Sequence, residues 1–513
     1  MPGRALWGWA GPLLVTVFGA FLRFYQLGDP RAVVFDETYY VPDAFGILKH
    51  GVEINHVKNV DALLVQGSTR ILIGTQGEYV AHPPLGKIMI AAGEWLFGLT
   101  PFGWRFAVAV VGSVAVLMTA RIARRMTRST VLGCVAGLLL ALDGLEFVLS
   151  RTAILDIFVM FWVLAAFGLV VIDRDRTRAR LAAAAAAGPE DTTSAGRAGT
   201  TPAGTTSAGR GDTSGPRLGF RWQLVLAGAC LGAACACKWN GIWYIPVFAA
   251  MVIAWDLGAR KAAGFGGRVR GVLRSDAPWL PVWFLLAPVV VYVASWSGWF
   301  ATSYGYDRNG TALNGGHLAS TVTAFLQYNK SMLGFGLGLK TYQYYQSDPL
   351  GWLILARPIS FFYARPKTCG ARSCSQEVLA IGTPLIWWGA TAALLFCLAW
   401  WLTRRDWRAG AVLAGVAAGW LPWIWFYWHD HRTEFYYYAV VFDPFLVIAI
   451  ALCLGLIAGP ARARPGRRLA GAVISGAYLL AVLWNFAYLY PVLAAKSIPY
   501  ASWLSRMWFH SWI

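Results

Sequence analysis

Charge is what this chain has least of. Only 13% of its 513 residues are Asp, Glu, Lys or Arg, against 57% hydrophobic residues and a mean hydropathy of +0.51. A water-soluble protein of this size carries about twice that charge, so a soluble fold is excluded and an integral membrane protein remains. Acids are scarcest, 25 against 44 Lys and Arg. No repeat of solenoid or propeller period is visible, and no pair of interrupted segments suggests an inverted transporter repeat. No secretory signal with a small-residue cleavage site is evident, so Trp7 to Tyr25 reads as a retained first helix.

What is present is a series of spanning-length apolar segments. They run at Pro101 to Ile122, Val131 to Leu145, Ile154 to Ile172, Trp222 to Cys237, Ile242 to Trp255, Pro278 to Trp296, Pro384 to Leu402, Ala409 to Trp428, Tyr436 to Ile457 and Leu469 to Tyr490. With the first helix this predicts about eleven transmembrane helices in an all-α polytopic protein.

The net charge of +19 follows topology. Arginines cluster after the second span (Arg121, Arg124, Arg125, Arg128), the fourth (Arg174, Arg176, Arg178, Arg180) and the sixth (Arg260, Arg268, Arg270, Arg274, with Lys261). They recur after the eighth (Arg404, Arg405, Arg408) and the tenth (Arg462, Arg464, Arg467, Arg468). Alternate exits are basic, the positive-inside pattern of a multi-pass plasma-membrane protein with a cytoplasmic amino terminus. A charge explained in this way gives no support to nucleic-acid binding.

The spans divide the chain into a first membrane module, 1–172, with an outside loop at 26–100, and a linker, 173–221. Helices five to seven follow at 222–296, a second outside loop at 297–383, and helices eight to eleven with an outside tail at 384–513. Leu181 to Gly219, rich in Ala, Gly, Ser and Thr, cannot bury enough apolar surface to fold and reads as a disordered cytoplasmic linker. Amphipathic helices are expected in the second loop, and a pocket between the two loops is the simplest arrangement. Six of the eight cysteines fall in spans; Cys369 and Cys374 lie in the second loop and suit a local disulfide.

The chemistry is expected at Phe35-Asp36-Glu37-Thr38-Tyr39-Tyr40, directly after the first span. Two adjacent carboxylates at a membrane face are costly to desolvate and point to a reaction or a bound ion. The alternative is a helix N-terminal cap. Arg105 and Lys238 lie near outer span ends, at the depth of a lipid phosphate, where snorkelling is the competing explanation. Arg432 is a further cation of this kind. His82 stands beside two prolines, a structural position; a metal site would recruit His429, His431 and Glu434. Arg151 and Asp156 are spaced to pair on one helix edge, and Phe435, Tyr436, Tyr437 and Tyr438 read as an interface belt, with a sugar-stacking platform as the alternative.

Five motifs in order carry a resemblance. They are the Asp36-Glu37 segment, His82-Pro83-Pro84-Leu85-Gly86-Lys87, Ser150-Arg151-Thr152-Ala153-Ile154-Leu155-Asp156, Cys237-Lys238-Trp239-Asn240-Gly241 and Ser295-Trp296-Ser297-Gly298-Trp299-Phe300. Together they resemble the protein O-mannosyltransferases, membrane enzymes of the GT-C glycosyltransferase class, in their bacterial, actinobacterial-type form. The second loop, at about ninety residues, is too short for the β-trefoil of eukaryotic members plus interfacial helices.

The resemblance implies a GT-C fold with two large extracytoplasmic loops. It implies transfer of mannose from polyprenyl phosphate mannose to Ser or Thr hydroxyls of secreted or membrane proteins, with inversion, and the translocon is a candidate place for it. Asp36 is the expected base with Glu37 beside it; Arg105 and Lys238 match phosphate-binding positions, and Arg432 is a third candidate. His82, Lys87 and Asp156 are candidate substrate-site residues. No cofactor is expected, a divalent metal being the lesser alternative. A lipid or glycan acceptor is the rival reading, and a transporter a more distant one.

Overall fold

The computed structural model describes residues 2–187, 214–308, 317–460 and 462–513, with the side chains of 2–7 and 317–319 left aside. Among these residues eight helices are long and apolar enough to cross a membrane: Pro101–Thr127, Asp156–Ala187, Trp239–Ala262, Arg268–Ser295, Pro384–Arg404, Trp407–Asp430, Tyr436–Ala458 and Pro465–Leu493. Three shorter apolar helices, Gly8–Phe24, Thr130–Ala141 and Trp222–Cys237, occupy the places of the other expected spans.

The helices are not equivalent. Pro101–Thr127, Asp156–Ala187 and Tyr436–Ala458 are mostly buried and form the centre, whereas Arg268–Ser295 and Pro465–Leu493 present most of their apolar surface outward. Outward apolar faces suit lipid, where nothing drives them inside. Close packing uses small residues: Gly228 and Gly232 of Trp222–Cys237 lie against the carbonyls of Trp283 and Pro288, where a Cβ would collide.

Helix starts fix where charges fall. Thr100 caps Pro101–Thr127 by accepting the Gly103 N–H at 3.1 Å, with Pro101 at the first helical position, so Arg105 lies in the second turn. Asp156 opens Asp156–Ala187, where the helix dipole favours an anion. Both helices then run to the arginine-rich end: Arg174 lies about 27 Å along the axis from Asp156 at 1.5 Å per residue. At that end Arg221 pairs with Asp173 and with Asp256 at 2.5 Å.

The linker begins later than the sequence suggests. The helix that starts at Asp156 continues to Ala187, and Leu181 packs with Leu218 and Ala259. Residues 173–187 are therefore helix and 214–221 are docked, because an Ala-rich run attached to a stable helix extends it at little cost. The remainder of the expected linker, 188–213, lies outside the described residues.

The fold is mostly helical, as expected, and its few short strands lie in the loops and the tail. Within the first loop, helices Glu37–His50, Val60–Val65 and Leu85–Phe97 accompany an antiparallel pair, Ile54–His56 with Leu72–Gly77. The second loop holds the helix His317–Gly338 and strands Ile359–Ala364 and Cys374–Ala380, joined at Cys374 and Ser375 by Ile498–Pro499 from the tail. Loop backbone that leaves a helix must find partners, and short strand pairs supply them. The two loops share a core in which Trp296, Trp299, Tyr328 and Met332 pack on Val52, Ile54 and Val80.

Candidate active site

The site begins with a left-handed residue. Phe35 has φ +51°, a strained conformation for a side-chain-bearing residue, and stacks on Phe361 of the second loop at 4.6 Å. The chain turns there into Glu37–His50, with Asp36 at the N-cap position making no side-chain cap. The capping alternative for Asp36 is thereby removed.

The adjacent acids have separate environments. Glu37 is fully buried: Oε1 and Oε2 each accept from Arg105 at 2.8 Å, and they also take the N–H groups of Ala153 and Val34. Arg105 spends its remaining donors on the carbonyls of Pro30 (3.0 Å), Ala32 (2.8 Å) and Leu27 (3.4 Å). A guanidinium saturated by protein acceptors has nothing left for a phosphate, so the expected donor role of Arg105 is corrected to a structural one. Glu37 likewise leaves the reacting group and becomes the anchor that ties the first loop to the membrane helices.

Asp36 differs from Glu37. It is partly exposed and makes no salt bridge among the described residues. The Tyr40 hydroxyl donates to its Oδ2 at 3.4 Å and the Tyr437 hydroxyl also reaches it. Burial pushes its pKa up to about 6 while Lys238 opposes the rise.

Lys238 occupies an extended residue between Trp222–Cys237 and Trp239–Ala262, which turns its side chain back into the site. Its Nζ lies 3.0 and 2.9 Å from the two carboxylate oxygens of Asp156 and 4.2 Å from the centre of the Tyr438 ring. The expected Arg151–Asp156 pair does not form. Arg151 lies in the turn before the helix that Asp156 opens, so the two do not share a helix edge; it donates to the carbonyls of Arg23 and Tyr25 at 2.7 Å and Gln26 at 2.8 Å, while Asp156 is held by Lys238.

Arg432 reaches the same tyrosine, 6.0 Å from the Tyr438 ring centre. It is oriented by Glu434 at 2.8 Å and the Gly336 carbonyl at 2.7 Å. Burial raises the Glu434 pKa to about 8, against the pull of Arg432. Tyr437 and Tyr438 are buried around this group, and Tyr436 is buried against Trp387 with its hydroxyl accepting the Gly382 N–H; the three do not form an interface belt, since the aromatic run turns inward as a 3-10 helix.

His82 faces the site, its ring 6.2 Å from that of Tyr40. Burial lowers its pKa well below the usual value, reinforced by Lys238, Lys87 and Arg432. His429 stacks on Trp425 at 4.6 Å, and no group of three His, Cys, Asp or Glu side chains gathers as a metal site among the described residues. Lys87 is buried and matched within its own loop by Glu53 at 2.5 Å and Asp43 at 3.5 Å, so it supports the site without entering it. Cys369 and Cys374 are disulfide-bonded at the turn of the second-loop hairpin.

The sequence reading missed Tyr40 as a site residue and had Tyr437 and Tyr438 in the site only as the lesser alternative to a belt. Tyr40 carried a signal in its i, i+4 spacing from Asp36. The other two carried none, since their contacts come from folding the second half onto the first.

Residues 13–185 match the family described as dolichyl-phosphate-mannose-protein mannosyltransferase, and residues 321–512 match the C-terminal four TMM region of protein-O-mannosyltransferase. The chain is 36% identical to a polyprenol-phosphate-mannose--protein mannosyltransferase of Mycobacterium tuberculosis, over 100% of this chain and 93% of that one. A protein of the same name from Corynebacterium glutamicum is 30% identical, over 97% and 92% of the two chains. Among solved structures, the S. cerevisiae protein O-mannosyltransferase Pmt1-Pmt2 complex bound to the sugar donor superposes with a TM-score of 0.70 at 13% identity, covering 98% of this chain and 92% of that one. The archaeal oligosaccharyltransferase AglB from Archaeoglobus fulgidus follows at 0.51 and 14%, covering 97% and 56%. At these identities the structural likeness establishes the fold alone.

Proposed function

The chain belongs to the dolichyl-phosphate-mannose-protein mannosyltransferase family and has its GT-C fold, and from that premise we propose that it transfers mannose from polyprenyl phosphate mannose to Ser or Thr hydroxyls of secreted or membrane proteins. The observation that carries the reading is Asp36, a partly exposed carboxylate without a salt bridge, beside the Lys238–Asp156 pair.

In this reading the acceptor hydroxyl gives its proton to Asp36 as its oxygen attacks the anomeric carbon. The bond from that carbon to the phosphate oxygen breaks on the opposite face, so configuration inverts. The electron pair leaves with the lipid phosphate, whose growing charge is met by Lys238 and Arg432. No bound metal is required, because two fixed cations supply that stabilisation. Neutral His82 offers a hydrogen-bonding group to a sugar hydroxyl.

The polyprenyl chain needs an apolar path beside the phosphate. A cavity of about 310 Å³ lined by Ile242, Phe284, Leu285 and Val289 adjoins Trp239, the residue after Lys238. Asp36 lies at the membrane end opposite the basic clusters, which supports an extracytoplasmic reaction on segments reaching the site from the translocon.

The test supplies purified chain with labelled polyprenyl phosphate mannose and a Thr-rich peptide. Label in the peptide, lost in Asp36→Asn, supports the proposal; label only in lipid or glycan would transfer it to the rival acceptor class.

A further inference from the structure

A second polar cavity lies at the other end of the molecule. It measures about 900 Å³ and opens between the Pro101–Thr127, Asp156–Ala187, Trp239–Ala262 and Trp407–Asp430 helices. Its polar wall carries six arginines, Arg125, Arg128, Arg174, Arg178, Arg405 and Arg408, against two aspartates, Asp175 and Asp406.

The aspartates do not neutralise this wall. Asp175 is shared by Arg125 at 2.9 Å and Arg174 at 3.0 Å, and Asp406 is taken by Arg408 at 2.8 Å. Arg128, Arg178 and Arg405 make no salt bridge among the described residues, and all three are exposed. Arg174 is held in place by stacking over Trp407 at 3.4 Å to the ring centre. Positive-inside placement accounts for arginines at this level, but it does not require them to converge on a concave wall.

Deeper in, the lining changes character. Met251, Val247, Ala250 and Ala414 replace the arginines, with Trp255 and Trp407 at the boundary. A basic mouth above an aromatic belt and an apolar floor, at the end of membrane-spanning helices, matches a molecule with an anionic phosphate head and hydrocarbon tails. We propose that this cavity binds the headgroup phosphate of an anionic phospholipid of the adjoining leaflet, Arg128, Arg178 and Arg405 supplying the free donors. A soluble phosphate compound would share the head chemistry but would leave the apolar floor unused. The site is separate from the one around Asp36 and stands whether or not the transfer reading holds.

Native mass spectrometry of the delipidated full chain tests this with three probes: phosphatidylglycerol, phosphatidylcholine and ATP. The expected result is a retained phosphatidylglycerol adduct, with neither of the other two held. Each free arginine near a membrane surface contributes about fivefold, so the Arg128→Gln/Arg178→Gln/Arg405→Gln variant should bind about a hundredfold more weakly. Arg178→Gln alone, at an exposed position, should keep the wild-type unfolding temperature and lose about fivefold, which controls for misfolding. The Lys238→Met/Asp156→Leu variant, which removes the buried pair without stranding either charge, should keep the adduct, since an anionic lipid lodged in the donor site would be lost there. Equal retention of phosphatidylcholine, competition by ATP, or an unchanged adduct in the triple variant would each overturn the proposal.

Discussion

The Lys238 ammonium sits 2.9 and 3.0 Å from both carboxylate oxygens of Asp156 while lying 4.2 Å over the Tyr438 ring, so one cation joins three segments far apart in the chain. Both partners are buried. Lys238→Ala should strand Asp156 and destabilise the fold by about 3–5 kcal/mol, while slowing transfer by about 10²–10³. The Lys238→Met/Asp156→Leu double variant separates the two effects. It should recover the unfolding temperature without recovering transfer, and a stable double variant with wild-type rates would reduce Lys238 to a structural role.

Asp36→Asn should have the opposite profile. Asp36 forms no ion pair among the described residues and its ionisation is opposed by burial, so the amide should leave the unfolding temperature unchanged or slightly raised. Turnover should fall by about 100-fold or more, because an amide accepts no proton from the hydroxyl. Donor affinity, measured by titration, should stay near wild type.

The pH profile follows from the same carboxylate. Its pKa of about 6 means that the active, ionised form is lost below that pH, so kcat/KM should rise about tenfold per pH unit up to roughly 6 and then level. Lys238 lowers this pKa, so Lys238→Met should move the acidic limb to higher pH. The stability consequence has the reverse sign from a salt-bridged acid. With the folded pKa raised above 3.8, ionising Asp36 between about pH 4 and 6 weakens the fold, and Asp36→Asn should remove that component.

The membrane architecture was legible in the sequence because apolar length and arginine placement are properties of contiguous segments. The loops were less so. Asp36 and Glu37 read as an equivalent pair, yet the left-handed turn at Phe35, held by Phe361 from more than three hundred residues away, sends them to separate environments. Arg105 and Lys238 looked alike by depth, and only their acceptors distinguish them: all five donors of Arg105 are taken by Glu37 and three carbonyls, whereas Lys238 gives two of its three to Asp156 and keeps one for a ligand. Likewise Arg151 falls in a turn short of the helix that Asp156 opens, and Asp156 is taken by Lys238 from a distant segment, neither of which spacing on an assumed helix reveals.

The orientation of the whole can be checked at the linker. If the basic clusters face the cytoplasm, a reporter fused at Thr201 should behave as cytoplasmic, despite the Ser and Thr around it. A reporter that is active only outside would place Asp36 on the wrong side for secreted acceptors.

Arg105 provides the sharpest contrast between anchor and clamp. Its five N–H groups are directed at Glu37 and the carbonyls of Leu27, Pro30 and Ala32, which fixes the first loop where it leaves the membrane. Arg105→Ala should leave Glu37 buried without its countercharge and cost about 3–5 kcal/mol. Arg105→Lys should rescue little, since a point charge cannot reproduce a planar fork with five donors. Arg105→Met/Glu37→Gln, which removes both charges, should recover part of the unfolding temperature. In that folded variant, donor affinity should match wild type, because neither side chain meets the phosphate. Donor binding weakened tenfold or more, with the unfolding temperature intact, would return Arg105 to the phosphate site and leave Glu37 as its positioning partner.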